Sequence, residues 1–319
     1  MSSAVYAVLI AFVANIILCP ILIPQLHRLK FGQNIRGDGP SSHLKKAGTP
    51  TMGGIMIIVS FILAALPFMR GNPEGAAVMW VTAAFGLVGF ADDVISIVKK
   101  RSLGLKPSQK IIAQLVISIA FFLYWRTLPG YSTVLTVPFF PDISFDIGFF
   151  YPFFVIFIFL ASSNGANLTD GLDGLAAGVT ALIATFFMFA AWSFGSNALP
   201  ITGAAVGSLM GFLLFNSHPA RVIMGDTGSL ALGGFIASIS VLLRMPLFLV
   251  IVAIIYVIES LSVMIQVGYF KLTRKRFFKM APIHHSFELS GWAETKVVAV
   301  FYVVTAMACL LGYLAMRGI

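Results

Sequence analysis

Charge is scarce in this chain. Only 10% of its 319 residues are Asp, Glu, Lys or Arg, against about 25% in soluble domains, which excludes an ordinary water-solvated globule. Cysteine is nearly absent. Cys19 and Cys309, both in apolar runs, provide neither a disulfide framework nor a thiolate zinc centre. Acids are scarcer than bases, twelve against twenty-one, and the resulting charge of +9 would suit nucleic acid if the bases formed one patch. They are instead divided among short loops between apolar runs, the pattern of a chain meeting an anionic membrane surface, so no nucleic-acid partner is expected. The first run lacks a basic leader and a small-residue cleavage site, and is expected to be a retained span.

What the chain has in excess is hydrocarbon: 59% hydrophobic residues, thirty of them Phe. Ten apolar runs long enough, or nearly so, to cross about 30 Å of lipid lie at 3–26, 52–69, 76–98, 110–125, 148–163, 174–194, 200–216, 228–243, 246–269 and 296–316. An open sheet in lipid would leave backbone groups unpaired, so each run is expected to be a helix. The chain therefore reads as an all-α, polytopic membrane protein, with residues 1–319 forming a single transmembrane domain. Segment 129–147 is too broken by Pro and Asp to span, and is expected to form a short hairpin outside the lipid. Loops 27–51, 99–110, 164–173, 217–227 and 270–296 hold seventeen of the twenty-one Lys and Arg. The positive-inside rule places these loops in the cytoplasm and both termini outside.

The twelve acids are the most informative residues. Asp92 and Asp93 lie inside an apolar run, about 10 Å from the helix end marked by Lys99-Lys100-Arg101. Two adjacent carboxylates there cost several kcal/mol unless paired, solvated or bound to a cation. A second polar island runs from Asn164 to Gly174 and contains Asn167, Asp170, Gly171, Leu172 and Asp173. Its glycines permit close approach of a ligand, and Asp170 and Asp173 would share a face if the next helix began early. The third, Asn216 to Ser229, puts Asp226 at a helix start, where free N–H groups and the helix dipole favour phosphate.

Basic partners share this side of the membrane. Ser42 to Gly54 brings Lys46, hydroxyls and glycines without Walker spacing, and Ala281-Pro282-Ile283-His284-His285 brings two adjacent histidines. Glu259, deep in the ninth run, is expected to be paired internally or to mark a helix break beside a groove. Segment 270–296, with Phe277, Phe278, Phe287 and Trp292 among its bases, either lies along the membrane surface or is an ordinary charged loop. Acids for a hard divalent cation and bases for phosphate, all at one membrane face, point to phosphoryl-group chemistry on a lipid.

These motifs, in this order, resemble the bacterial phospho-N-acetylmuramoyl-pentapeptide transferases, within the polyprenyl-phosphate N-acetylhexosamine-1-phosphate transferase superfamily. The resemblance rests on Ser42 to Gly54, Ala91-Asp92-Asp93, Asn164 to Gly174, Met224 to Ser229 and Ala281 to His285, and covers essentially the whole chain. It implies transfer of phospho-MurNAc-pentapeptide from its UDP carrier to undecaprenyl phosphate, giving lipid I and UMP. The reaction would belong to peptidoglycan synthesis at the cytoplasmic face of the bacterial plasma membrane, with Mg²⁺ as cofactor and a homodimer as the assembly. By the family pattern Asp92, Asp93 and Asp226 are the essential acids, with Asp226 at the metal. Lys46 and His284 match polar catalytic positions. Asp170, Gly171, Leu172, Asp173 and Asn216 match the nucleotide pocket, and Asn167 and His285 join them as expected substrate-binding residues. The family's last motif usually carries three histidines, whereas this chain has Ser286 in third place.

The same acids would serve a relative that transfers another sugar phosphate, such as GlcNAc-1-phosphate. Asp92-Asp93-Val94-Ile95-Ser96 lacks the second acid of an aspartate-rich prenyl-diphosphate motif. A transporter would carry its broken-helix site near the midplane between repeated halves, and neither feature is evident here.

Overall fold

The computed structural model describes residues 1–28, 48–99, 101 and 104–316. Lys46, expected in the site, lies outside the described residues. The chain folds as α1 (Ser2–Arg28), α2 (Gly54–Ala65), α3 (Pro73–Val98), α4 (Pro107–Trp125), a hairpin of β1 (Val134–Val137) and β2 (Phe140–Asp146), and α5 (Tyr151–Thr169). It continues as α6 (Leu175–Ser193), α7 (Leu199–Asn216), α8 (Gly225–Leu242), α9 (Leu249–Val252), α10 (Ile254–Thr273), α11 (Ile283–Glu288) and α12 (Glu294–Ala315).

Nine helices among the described residues are long and apolar enough to cross a membrane. The expected span at 52–69 is shorter: α2 is extended only by a 3₁₀ turn, Leu66–Phe68. Fifteen residues at 1.5 Å each reach only about 22 Å. The ninth run is divided. A turn at Pro246–Phe248 leads into α9, and Ala253, at φ −102° and ψ 31°, separates α9 from α10. The hairpin forms where expected, antiparallel, with Val134 opposite Asp146 and Leu135 opposite Phe145.

Burial is inverted relative to a soluble protein. Leu9, Val13 and Ile17 of α1, Ile112, Val116 and Leu123 of α4, and Phe153 and Phe157 of α5 are exposed, as side chains facing lipid should be. The centre is α8, buried without a break from Thr227 to Leu242. Lipid gives apolar side chains no reason to associate, so close backbone approach has to drive the packing. The sequence supplies small residues for this. Gly203, Gly207 and Gly211 of α7 lie against α1 so closely that a Cβ would meet Ala4 O at 2.7 Å, Val8 O at 2.1 Å and Asn15 Cβ at 2.8 Å. Asn15 is buried in that seam and donates to Ser60 Oγ at 3.0 Å and to the Ser208 carbonyl at 3.0 Å.

Helix direction then gathers the polar islands. Gly89 of α3 abuts the Asp226 carbonyl and Gly54 of α2 abuts Gly228, so the ends of α3 and α5 meet the starts of α2 and α8.

Candidate active site

Asp92 and Asp93 are neighbours on α3, so their side chains leave the helix about 100° apart and meet different partners. Asp93 turns to α8. Its Oδ1 accepts from the Asp226 N–H at 3.2 Å, and its Oδ2 accepts from the Thr227 N–H at 2.9 Å and the Thr227 hydroxyl at 2.6 Å. Asp93 thus caps the start of α8 from another helix, the role usually taken by a residue next in sequence. Gly225 allows this. Its φ is +73°, and a Cβ would stand 2.8 Å from Asp93 Oδ2 and 2.7 Å from Thr51 Oγ1. The expectation of free N–H groups for phosphate beside Asp226 is corrected here, because the Asp226 and Thr227 N–H groups are held by Asp93.

Asp92 turns to α4. Its Oδ1 accepts from the Leu105 N–H at 2.9 Å and lies 3.1 Å from Lys110 Nζ. Lys110, in the first turn of α4, also pairs with Asp226. The other oxygen of Asp226 accepts from Asn167 Nδ2 at 2.7 Å, and the same amide reaches Ser229 Oγ at 2.9 Å. Carboxylate oxygens of Asp92, Asp93 and Asp226 all lie within 4.8 Å of one another. This donor set suits a hard divalent cation: oxygen only, multiply anionic, with no thiolate or imidazole in it. An ammonium already sits between two of the three acids, so the group is built to hold positive charge.

A second group forms beyond the turn after α5. Asp170 ends α5 and α6 begins only at Leu175, so Asp170 and Asp173 do not share a helical face. Asp173 Oδ2 accepts from the Ala220 N–H at 3.0 Å and meets His218 Nδ1 at 3.0 Å, while Glu294 Oε1 accepts from the Asp173 N–H at 2.7 Å. Asn216 is buried, and both ends of its amide are engaged by backbone: Oδ1 accepts from the Gly174 N–H at 3.2 Å and Nδ2 donates to the Val222 carbonyl at 2.9 Å. Leu172 is buried in the bundle core beneath the turn.

The two histidines each hang on a glutamate. His284 Nδ1 is 3.0 Å from Glu259 Oε1 and His285 Nδ1 is 2.9 Å from Glu288 Oε2. The His284 ring is 0% exposed, so in this conformation it touches protein rather than a space open to substrate. Its Nε2–Cε1 edge lies against Gly171. Glu259 is therefore paired internally, and the helix break lies six residues earlier, at Ala253. Ser286 takes a backbone role, its hydroxyl accepting from the Met280 N–H at 3.2 Å.

The sequence pattern did not single out Lys110, Thr227, Ser229, His218 or Glu294. Lys110 left one readable trace, a lysine in the first turn of an apolar helix. An open cavity of about 480 Å³ lies at the opposite end of the bundle, between Glu74, Trp125, Ser196 and Arg244, away from these acids.

Comparison with known proteins gives two concordant results. The model of glycosyl transferase family 4 matches residues 75–244, and signature 1 of phospho-N-acetylmuramoyl-pentapeptide-transferase matches residues 46–58. A phospho-N-acetylmuramoyl-pentapeptide-transferase of Clostridium novyi (strain NT) is 47% identical over 318 residues, covering 99% of this chain and 98% of the relative. The proteins of that name from Clostridium kluyveri (strain NBRC 12016) and Clostridium perfringens (strain 13 / Type A) are 49% and 50% identical. They cover 99% and 97% of this chain, and 100% and 97% of their own lengths.

Proposed function

The chain belongs to the phospho-N-acetylmuramoyl-pentapeptide-transferase family, and on that premise we propose that it moves phospho-MurNAc-pentapeptide from UDP to undecaprenyl phosphate, releasing UMP and lipid I. It is a membrane enzyme of peptidoglycan synthesis. The observation that carries the chemistry is the meeting of Asp92, Asp93 and Asp226 around Lys110 at one end of the bundle. Among the described residues Lys106, Lys110 and the bases of 270–296 belong to loops and helix ends on that side, so by the positive-inside rule the site faces the cytoplasm of a bacterial plasma membrane and both termini face outside. Mg²⁺ is the cofactor and a homodimer the assembly.

The acceptor phosphate is anionic near neutral pH and needs alignment more than deprotonation. One of its oxygens attacks the β-phosphorus of the donor. The bond from that phosphorus to the oxygen bridging it to the α-phosphorus breaks, and UMP leaves with that oxygen and its electron pair. Both Asp93 oxygens are engaged by α8, which argues against a covalent intermediate on Asp93 and favours this direct route. Asp93 fixes the start of α8 and thereby the position of Asp226. Lys110 holds positive charge where the diphosphate would lie, and Asn167 orients Asp226. A divalent cation held by Asp226 with Asp92 would supply charge neutralisation on the diphosphate and the departing UMP.

The test supplies purified protein with UDP-MurNAc-pentapeptide, undecaprenyl phosphate and Mg²⁺, and follows UMP and lipid I together. Equimolar appearance of both is expected. Turnover only with UDP-GlcNAc would move the chain to the sugar-1-phosphate branch. With enzyme equal to donor and no acceptor, rapid quench should give no UMP burst, and a stoichiometric burst would require the covalent route.

A further inference from the structure

We propose that Glu259 is a positioning residue for nucleotide binding, acting through His284 on the Asp170–Asp173 turn. Among the described residues, Glu259 Oε2 and His284 Nε2 are buried polar atoms with no hydrogen-bond partner. They are the two ends of one chain: Oε2, the carboxyl carbon, Oε1, then Nδ1 at 3.0 Å, and Nε2 across the ring. Glu259 and His284 are both 0% exposed. A single hydrogen bond deep in the protein therefore sets the orientation of the ring.

What the ring touches gives the pair its purpose. A Cβ at Gly171 would stand 2.1 Å from His284 Nε2 and 2.6 Å from Cε1, so only glycine leaves room for the ring. Gly171 begins the turn that presents Asp173 to His218 and the Ala220 N–H, and ends at Gly174, whose N–H donates to Asn216. The turn is clamped on its far side by Asn216 and Glu294. On its near side the described contact is the His284 ring. Glu259 reaches the turn from α10, while His284 comes from α11, 25 residues later in the chain. Rotation of the imidazole about χ2 would break the Glu259 bond and shift the edge that now rests against Gly171. The bond thus converts the position of α10 into the height of the turn.

This inference rests on the assignment of the turn to the uridine nucleotide. Removing the carboxylate should weaken donor binding while leaving the acceptor and the chemical step nearly untouched. For Glu259→Ala we expect KM for UDP-MurNAc-pentapeptide to rise about tenfold, the size of one buried hydrogen bond, with KM for undecaprenyl phosphate and kcat within about threefold. Glu259→Gln, which keeps an acceptor for Nδ1–H, should restore most of the donor affinity. Gly171→Ala should give the same donor defect from the other side. The double variant should be no worse than the poorer single one, because both act by displacing one ring. Additive losses in the double variant, or a fall in kcat with KM unchanged, would overturn the proposal. So would failure of Glu259→Gln to recover. Calorimetric titration of each variant with UMP separates this outcome from failure of the assignment itself: if wild type binds no UMP, the turn is not a nucleotide site. Should Glu259→Ala not insert, Glu259→Gln against Gly171→Ala still decides the matter.

Discussion

The two acidic groups at this end of the bundle look alike by proximity and differ in what their oxygens already do. Asp92, Asp93 and Asp226 meet within 4.8 Å, and so do ligand atoms of Asp173, His218 and Glu294. In the second group each acid holds the N–H of a loop residue, Glu294 that of Asp173 and Asp173 that of Ala220, and His218 lies beside both acids. These acids fasten loops. In the first group Asp93 is spent on the start of α8 and Asp92 also holds the Leu105 N–H. Asp92 and Asp226 share a lysine ammonium, which a cationic or phosphate ligand can rearrange. Three titratable side chains close together are thus not one kind of site. The partner atoms decide whether a cluster binds or braces.

The sharpest test of that contrast is Asp226→Ala, which should lower turnover by about a thousandfold, or ~4 kcal/mol of barrier, while the protein still inserts and melts normally in detergent. Near-normal activity at low Mg²⁺ would erase the distinction between the groups. Lys110→Met comes next. Turnover should fall about a hundredfold, yet half-maximal activity should need less Mg²⁺, because the competing ammonium is gone. An unchanged or increased metal requirement would show that Lys110 does not occupy the cation's place.

The second group should respond in binding rather than chemistry. Asn216→Ala removes the bonds to the Gly174 N–H and the Val222 carbonyl and should weaken UMP binding about tenfold in calorimetry, with undecaprenyl phosphate affinity little changed. If only lipid affinity fell, the turn would belong elsewhere. Glu294→Gln keeps an acceptor for the Asp173 N–H and should alter donor KM by no more than about threefold. A loss as large as that of Asp226→Ala would mean that the second cluster is also chemical. Labelling fixes the frame for all of these: cysteines at Gly130 and Gly195 should react from outside, and one at Ser108 should not.

Much of this was legible beforehand, for reasons of cost. A charge inside an apolar run is expensive, so Asp92, Asp93 and Glu259 stand out, and the hairpin announced itself by Pro and Asp breaking a run. Lys110 did not, since a lysine at the edge of a span is the ordinary way to end one. The cap that Asp93 places on α8 was invisible because its partner lies 134 residues away. The break at Ala253 left no mark either, alanine being the residue most at ease in a helix. The burial of His284 also escaped notice, since adjacency to another histidine says nothing about which way a ring faces.

The seam between α1 and α7 carries a consequence for how the protein is made. α1 leaves the ribosome first, but the glycines that receive it and the Ser208 carbonyl that accepts from Asn15 come 193 residues later. At about 5–20 residues per second, the first helix waits in lipid on the order of ten to forty seconds for its final neighbour. Through that interval Asn15 is a polar side chain among acyl chains. Cys19, one turn on in the same helix, engages the Asn15 amide oxygen, and α2 brings the first acceptors from another helix, the Met56 carbonyl and Ser60 Oγ. The amide of Asn15 can thus be satisfied by α2 well before α7 is there to close the seam.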